Sequence, residues 1–470
     1  MKNTKKIFLS LFLIVMLAGL SGCGCKQNTR TPYTINLEVW GLFDDEDAFR
    51  VIFENYGKIN KKVGGITYRK MTPDSYQKEL IDALASGQGP DIFLVHNNWI
   101  PSFSDKVYPA PMDIINEQRV RNEFVDVVAD DFVSGGSVYA LPLSVDSLGL
   151  YYNKDLFNDA GITSTPKNWE DFVSVARKLT KLDEQNQIIQ SGAALGTSTN
   201  INRATDVLNL LMLQNNTEMV NPNSKEVRFD KFTNVDGNSF SPGENALNFY
   251  TQFASRNSQL IPYTWNQRLH YSIDAFSEGT LGMMFNYSWQ REVLDSKAPK
   301  LNYDVALVPQ FPGRRQVNFA NYWGYTVIKN KTPDTKGMDP AVGSRVTNDM
   351  RAKEAWNLLV YLTTNPNPNA VVGSKQDAAK TQETMDPAKT YLERTKKPAA
   401  RRDLVEMQKT DAKYGVFAEG NLIAKSWYQI APDSIESIFS QMITQINNGE
   451  VDIHSALQSA SLAVTKMMNK

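Results

Sequence analysis

Cysteine is nearly absent from this chain of 470 residues: there are two, Cys23 and Cys25. Everything beyond them can form no disulfide and do no thiol chemistry. Histidine is almost as scarce, with His96, His270 and His454 alone. None lies at metal-ligand spacing from another, and neither an HExxH helix nor a nucleophile elbow occurs, so no metal, cofactor or catalytic constellation is expected. Charge of one sign is lacking too, because 50 Lys and Arg balance 51 Asp and Glu to leave −1. That gives no net electrostatic reason to bind nucleic acid or an anionic membrane. The N-terminal apolar run, Ile7 to Leu17, falls short of the roughly 20 residues a membrane-spanning helix needs.

That run does have a use. Lys2, Lys5 and Lys6 precede it and small residues follow it, which is the layout of a secretory signal. The "LSGC" at Leu20 to Cys23 resembles the bacterial lipobox. The resemblance implies a signal peptide over 1–22, a diacylglyceryl group on Cys23, a polar linker over 23–33, and a domain held at the outer face of the cytoplasmic membrane. A plain signal peptide that happens to contain Cys is the alternative. The length predicts at least two domains, and 41% hydrophobic with 21% charged residues is an ordinary globular balance.

Past the linker, strands and helices alternate. "TINLEVWGL" (Thr34 to Leu42), "GITYRKM" and "DIFLV" read as strands, and the amphipathic runs between them as helices. A βαβαβ order predicts a parallel sheet covered by helices. In such sheets ligands sit beyond the carboxyl ends of the strands. The third strand ends there in His96, Asn97, Asn98 and Trp99. A lone His at a strand tip is more often a structural or ligand hydrogen-bonding group than a base.

Four blocks, "GQGPDIF", "YALPLSVDSLGLYYNKDLF", "NWEDFVSVARKLT" and "FSEGTLGMMFNYSWQ", together resemble the extracellular solute-binding proteins of bacterial importers driven by ATP-binding cassettes, the group that includes maltose-binding protein. The resemblance implies an α/β fold of the two-lobed periplasmic-binding type (type II), each lobe a mostly parallel sheet flanked by helices, with the ligand between the lobes. The lobes expected are 34–147 plus 306–345 and 148–305 plus 346–470. It also implies a monomer that binds a small solute and hands it to membrane permease subunits, with no catalysis.

A sugar has hydroxyls on its rim and C–H patches on its faces, so its binder needs aromatic planes together with Asp, Asn or Arg. By similarity to the family, the candidate contacts are Trp40, Asp44, Asn97, Trp99, Asp146, Trp289, Trp323 and Trp427. One of Asp44 and Asp45 is expected to cap a helix, and Asp146 could instead bond a hinge amide. Trp99 and Trp289 lie on no core stripe and are expected to be dispensable for folding, whereas Trp169 and Trp356 read as core. The basic cluster "ERTKKPAARRDL" reads as a solvated face, within a stretch, 366–402, that departs most from the family. A non-sugar solute and a carbohydrate-active enzyme remain the alternatives.

Overall fold

The computed structural model describes residues 33–221, 223–235, 238–366 and 385–468; the signal peptide, Cys23 and most of the linker lie outside them. Chain order explains the two cores. β1 (Ile35–Gly41), α1 (Arg50–Ile59), β2 (Val63–Lys70), α2 (Pro73–Ala85) and β3 (Ile92–His96) build the expected βαβαβ unit, followed by α3 (Asp126–Phe132). The chain then crosses to β4 (Gly149–Asn153), α4 (Trp169–Leu179), α5 (Ala204–Gln214), α6 (Pro242–Gln252), β5 (Met283–Asn286) and β6 (Tyr303–Ala306). It returns to β7 (Trp323–Val327), α7 (Asn348–Thr363) and α8 (Pro387–Thr395), and crosses once more to α9 (Pro432–Asn447) and α10 (Ile453–Met468).

In the first lobe the strand order is β7-β3-β1-β2, with β2 and β3 parallel to β1 and β7 antiparallel to β3. Ile92, Phe93 and Val95 of β3 are wholly buried, as a strand covered on both faces requires. The second-lobe sheet, β5-β4-β6, differs from the mostly parallel one the resemblance implies: both partners run antiparallel to β4. The register gives the reason. β4 leaves the lobe boundary at Gly149, while β5 ends opposite it at Asn286 and β6 ends opposite Leu150 at Ala306, so both lead back toward the boundary.

The cores divide differently from the expected boundaries. Val308 and Phe319 still belong to the second core, and Ala320 and Tyr322 to the first, so the return falls near 319–320 rather than at 306. The helices over 348–405 belong to the first lobe, not the second. Trp356, Leu359 and Val405 lie in its core, and α7 packs on β7, α1 and β1. A buried ion pair holds α7 there: Arg351 donates to Asp91 at 3.1 Å and to the Ile328 carbonyl at 2.7 Å, while Lys331 reaches the other Asp91 oxygen at 2.9 Å. The third crossing falls between Ala424, the last residue of the first core, and Trp427 of the second, after which α9 and α10 pack in the second lobe.

All the crossings meet in one place. Ser147 bridges to Ala320, and the short strand Asn318–Phe319 runs beside Ala424–Lys425. The wholly buried Asn318 and Asn421 cross-link the segments by donating to the Leu148 and Val145 carbonyls at 2.8 and 2.6 Å. Gly420 is required by this approach, because a Cβ there would stand 2.8 Å from both Asn318 Nδ2 and Ser147 Oγ. Backbone held by amide side chains, not by an apolar plug, keeps its polar groups satisfied at a thin boundary.

Candidate functional site: the interlobe cleft

A cavity of ≈ 840 Å³ lies between the lobes. The first-lobe wall grows from the carboxyl ends of β1 and β3, where open α/β sheets place their ligands. Phe43 and Asp44 follow β1; His96 ends β3, and Asn97, Asn98 and Trp99 turn away from it. Trp323, the first residue of β7, pairs with His96 across the ladder and so stands beside this tip. Trp99 packs edge-to-face on Trp323 at 5.0 Å and stacks on Phe103 at 5.3 Å. The second-lobe wall carries Arg203, Asp206, Ser288, Trp289 and Trp427.

The candidate residues separate by what already holds them. Trp289 is the open one: it is 40% exposed, lies flat on Tyr287 with ring centroids 4.6 Å apart, and has the Arg203 guanidinium 5.6 Å from its ring. Arg203 takes the left-handed backbone conformation, φ 63°, just ahead of α5, a strained geometry for a residue with a Cβ that often marks functional sites. Trp427 is buried; its Nε1 donates to Asn209 at 3.0 Å and its ring stacks on Phe439. Trp99 is only 8% exposed and belongs to the first-lobe core, which corrects the expectation that it is dispensable for folding. Asn97 donates to Asp131 at 3.0 Å, and its buried Oδ1 has no protein partner.

Asp44 lines the cleft with both oxygens 2.7 Å from Lys397 Nζ and a further hydrogen bond from Tyr391 Oη. Asp45 does no side-chain capping and pairs instead with Lys70. Asp146 is engaged at both oxygens. Oδ1 accepts from the Ser147 amide at 2.9 Å and Oδ2 from the Ser288 amide at 3.0 Å, so the hinge-amide role holds. Burial pushes its carboxyl up to about 7. Trp40 is the one candidate that does not line the cleft. It sits inside β1, on the face it shares with Glu38, where its Nε1 donates to Glu38 and the Arg69 guanidinium covers its ring at 5.2 Å.

His96 is a joint of the strand tip. Its Nδ1 lies 2.6 Å from Asn98 Oδ1 and its Nε2 3.0 Å from Asn321 Oδ1. Burial lowers its pKa, and a neutral ring has one proton, so it can donate to only one of these two amide oxygens. The basic cluster is only in part the solvated face expected: Arg394 and Lys396 are exposed where they line the cleft beside Lys397, whereas Arg401, 2% exposed, is bonded to Asp386 and Asp403. Sequence reasoning missed Phe43, Arg203, Asp206, Tyr391 and Lys397. Phe43, half exposed immediately past β1, carried the same strand-tip signal as Trp99; the others carried none. Among the described residues there is no cluster of His, Cys, Asp and Glu able to hold a metal, and no helix long and apolar enough to cross a membrane.

Known proteins share this architecture. A cyclic alpha-maltosyl-1,6-maltose binding protein from Arthrobacter globiformis superposes with a TM-score of 0.69 at 17% identity, over 93% of this chain and 99% of that one. The sugar-binding protein MalE from Xanthomonas citri gives 0.65 at 16% identity, over 92% and 97%. In sequence, a multiple sugar-binding protein of Streptococcus mutans is 22% identical over 77% of this chain and 81% of its own length. A binding protein of Brucella abortus is 24% identical over 51% of this chain, which spans about half, 54%, of that relative's length. The family model described as bacterial extracellular solute-binding protein matches residues 44–367, and the chain belongs to that family.

Proposed function

We propose that the protein captures a carbohydrate between its lobes and delivers it to the permease of an ATP-binding-cassette importer, from a lipid anchor on Cys23. The observation that carries this reading is Trp289: an indole backed by Tyr287, left 40% exposed in the cleft with the Arg203 guanidinium beside its ring and Asp206 in the same wall. An exposed aromatic plane beside hydrogen-bonding groups matches the two kinds of surface a sugar offers. Trp99, Trp323 and Trp427 bound the same space, and Asn97 and Asp44 supply polar edges. The names of the relatives agree with a sugar ligand. Binding that favours the closed arrangement of the lobes would draw them together.

The test is a panel of mono- and oligosaccharides, amino acids and peptides, read by thermal shift and then calorimetry. Saturable binding of a saccharide supports the reading; binding of an amino acid or peptide alone would replace it with a non-sugar solute. Labelled oligosaccharide incubated with excess protein should remain uncleaved, and catalytic product formation would make the chain an enzyme. Cys23→Ala should release the protein from membranes, since two acyl chains at about 0.8 kcal/mol per buried CH₂ are what hold such an anchor. A Cys23→Ala protein still sedimenting with salt-washed membranes would refute the anchor.

A further inference from the structure

Two of the second-lobe indoles that line the cleft belong to the same dipeptide, Ser288-Trp289 and Ser426-Trp427. Each serine is tied to a carboxylate, buried at Asp146 and half-buried at Asp131, that belongs to the other side of the lobe boundary. Asp146, on the first crossing, accepts through Oδ2 from both the Ser288 amide at 3.0 Å and the Ser288 hydroxyl at 2.5 Å, while Oδ1 takes the Ser147 amide. Asp131, on α3 of the first lobe, accepts the Ser426 hydroxyl through Oδ1. Its Oδ2 takes the Asn97 amide at 3.0 Å and the Tyr322 hydroxyl at 2.8 Å. All these groups donate, so each cluster is built around an acceptor. Neither carboxylate has an ion-pair partner among the described residues, which makes its burial costly and the converging donors its compensation.

We propose that Asp146 and Asp131 are positioning residues: by holding Ser288 and Ser426 across the lobe boundary they orient Trp289 and Trp427, and so set the affinity of the cleft. Fixing a serine at its amide or hydroxyl fixes the chain direction at the very next residue, the indole. Asp131 orients the first-lobe side as well. Because its carboxylate takes the Asn97 amide nitrogen, Asn97 Oδ1 is turned away from it and left buried with no protein partner. The inference rests on the carbohydrate reading only in the choice of ligand.

Ionisation matters because hydrogen bonds to a charged acceptor are roughly twice as strong as neutral ones. Protonation would also place a donor among donors. The charged and titratable neighbours are few. Asp131 faces Tyr322 and, on its own helix, Asp130, which is paired with Lys425 at 2.8 Å and Arg121 at 3.6 Å. Asp146 faces Lys397, itself on Asp44, and the Tyr151 and Tyr287 rings. Burial is the largest influence on both, lifting Asp131 to about 6 and Asp146 to about 7. Affinity therefore rises as pH rises from about 5 to about 8, as the ties become charge-assisted.

The experiment uses the mature chain with Ser288→Ala, Ser426→Ala and the hydroxyl-retaining Ser288→Thr and Ser426→Thr. Calorimetry gives the affinity for the best-binding saccharide across pH, and fluorine NMR of fluorotryptophan-labelled protein follows Trp289 and Trp427, assigned by Trp→Phe replacement. Each alanine variant should bind about ten-fold more weakly at high pH, the size of one hydrogen bond to a charged group. Its pH profile should flatten and its neighbouring indole should cease to titrate, with threonine restoring both. Alanine variants that keep the wild-type pH profile and the wild-type indole titrations, whatever happens to their melting temperature, would overturn the proposal. If no saccharide binds the wild type, the carbohydrate reading fails, and the ligand-free fluorine titrations decide this inference by themselves.

Discussion

Trp289→Ala and Trp99→Ala should fail in opposite ways, and the structure sets both magnitudes. Trp289 leaves 40% of its side chain in the cleft. Of the roughly 250 Å² a Trp can bury, that is about 100 Å², worth about 2.5 kcal/mol at 25 cal/mol/Å² if a ligand covers it. The expected weakening is roughly sixty-fold. Stability should change by less than about 1 kcal/mol, because the ring belongs to neither core and its removal uncovers Tyr287 and Arg203 at the cleft surface. Trp99 is 8% exposed between Phe103, Tyr76 and Trp323. Its removal opens a hole in the first-lobe core and should cost about 3 to 5 kcal/mol. Urea melts and calorimetric titrations on the same preparations separate the two. If Trp289→Ala binds like the wild type while melting early, the exposed indole is packing and the cleft argument fails.

Other consequences follow from burial and charge. Arg351→Ala should destabilise by about 3 kcal/mol, the low end for breaking a buried pair, because Lys331 still faces Asp91; Asp91→Ala, which strands both cations, should cost nearer 5. Equal effects in denaturant melts would refute that ordering. Trp356, wholly buried with its Nε1 on the Tyr108 carbonyl, should lose about 3 to 5 kcal/mol on change to Ala without altering the affinity of the folded protein. Asp131 and Asp146 titrate higher in the fold, at about 6 and 7, than an unfolded carboxyl near 3.8. The folded state therefore holds more protons between those values, and stability should fall as pH rises from about 4 to about 7 and then level off. A melting temperature that rose over this window in wild type alone, and not in Asp146→Asn, would contradict the sign.

The fold was legible wherever local pattern and burial agree. The strand-and-helix order from Thr34 to Val95 follows from alternation, amphipathic spacing and Gly-Pro punctuation, and the structure has β1, α1, β2, α2 and β3 in that order. Helix 169–179 has its bounds because Asn168 caps the Asp171 amide and Arg177 and Lys178 close the last turn. Lobe membership was not legible, because it depends on distant partners. Nothing in "NDMRAKEAW" says that Arg351 will find Asp91, 260 residues away, or that Trp356 and Leu359 will join the first core, and these distant partners place α7 in the first lobe. Strand direction in the second sheet was hidden for the same reason, since it is decided by where β5 and β6 must return.

The candidate site was legible as a set of strand tips but not as a set of roles. Trp40 and Trp99 look alike in sequence, each an indole at the end of an apolar run. The pleat decides between them, turning Trp40 onto the sheet face beside Arg69 and letting Trp99 leave the strand for the cleft. The repeated Ser-Trp pair is visible in "NYSWQ" and "KSWYQ", and an indole after a small polar residue has no local meaning. Its meaning is supplied by carboxylates 142 residues before Ser288 and 295 before Ser426. A buried acid without a cation costs stability where it is ionised. Its value here has to be sought in what it holds, and what it holds in both places is the residue next to a cleft indole.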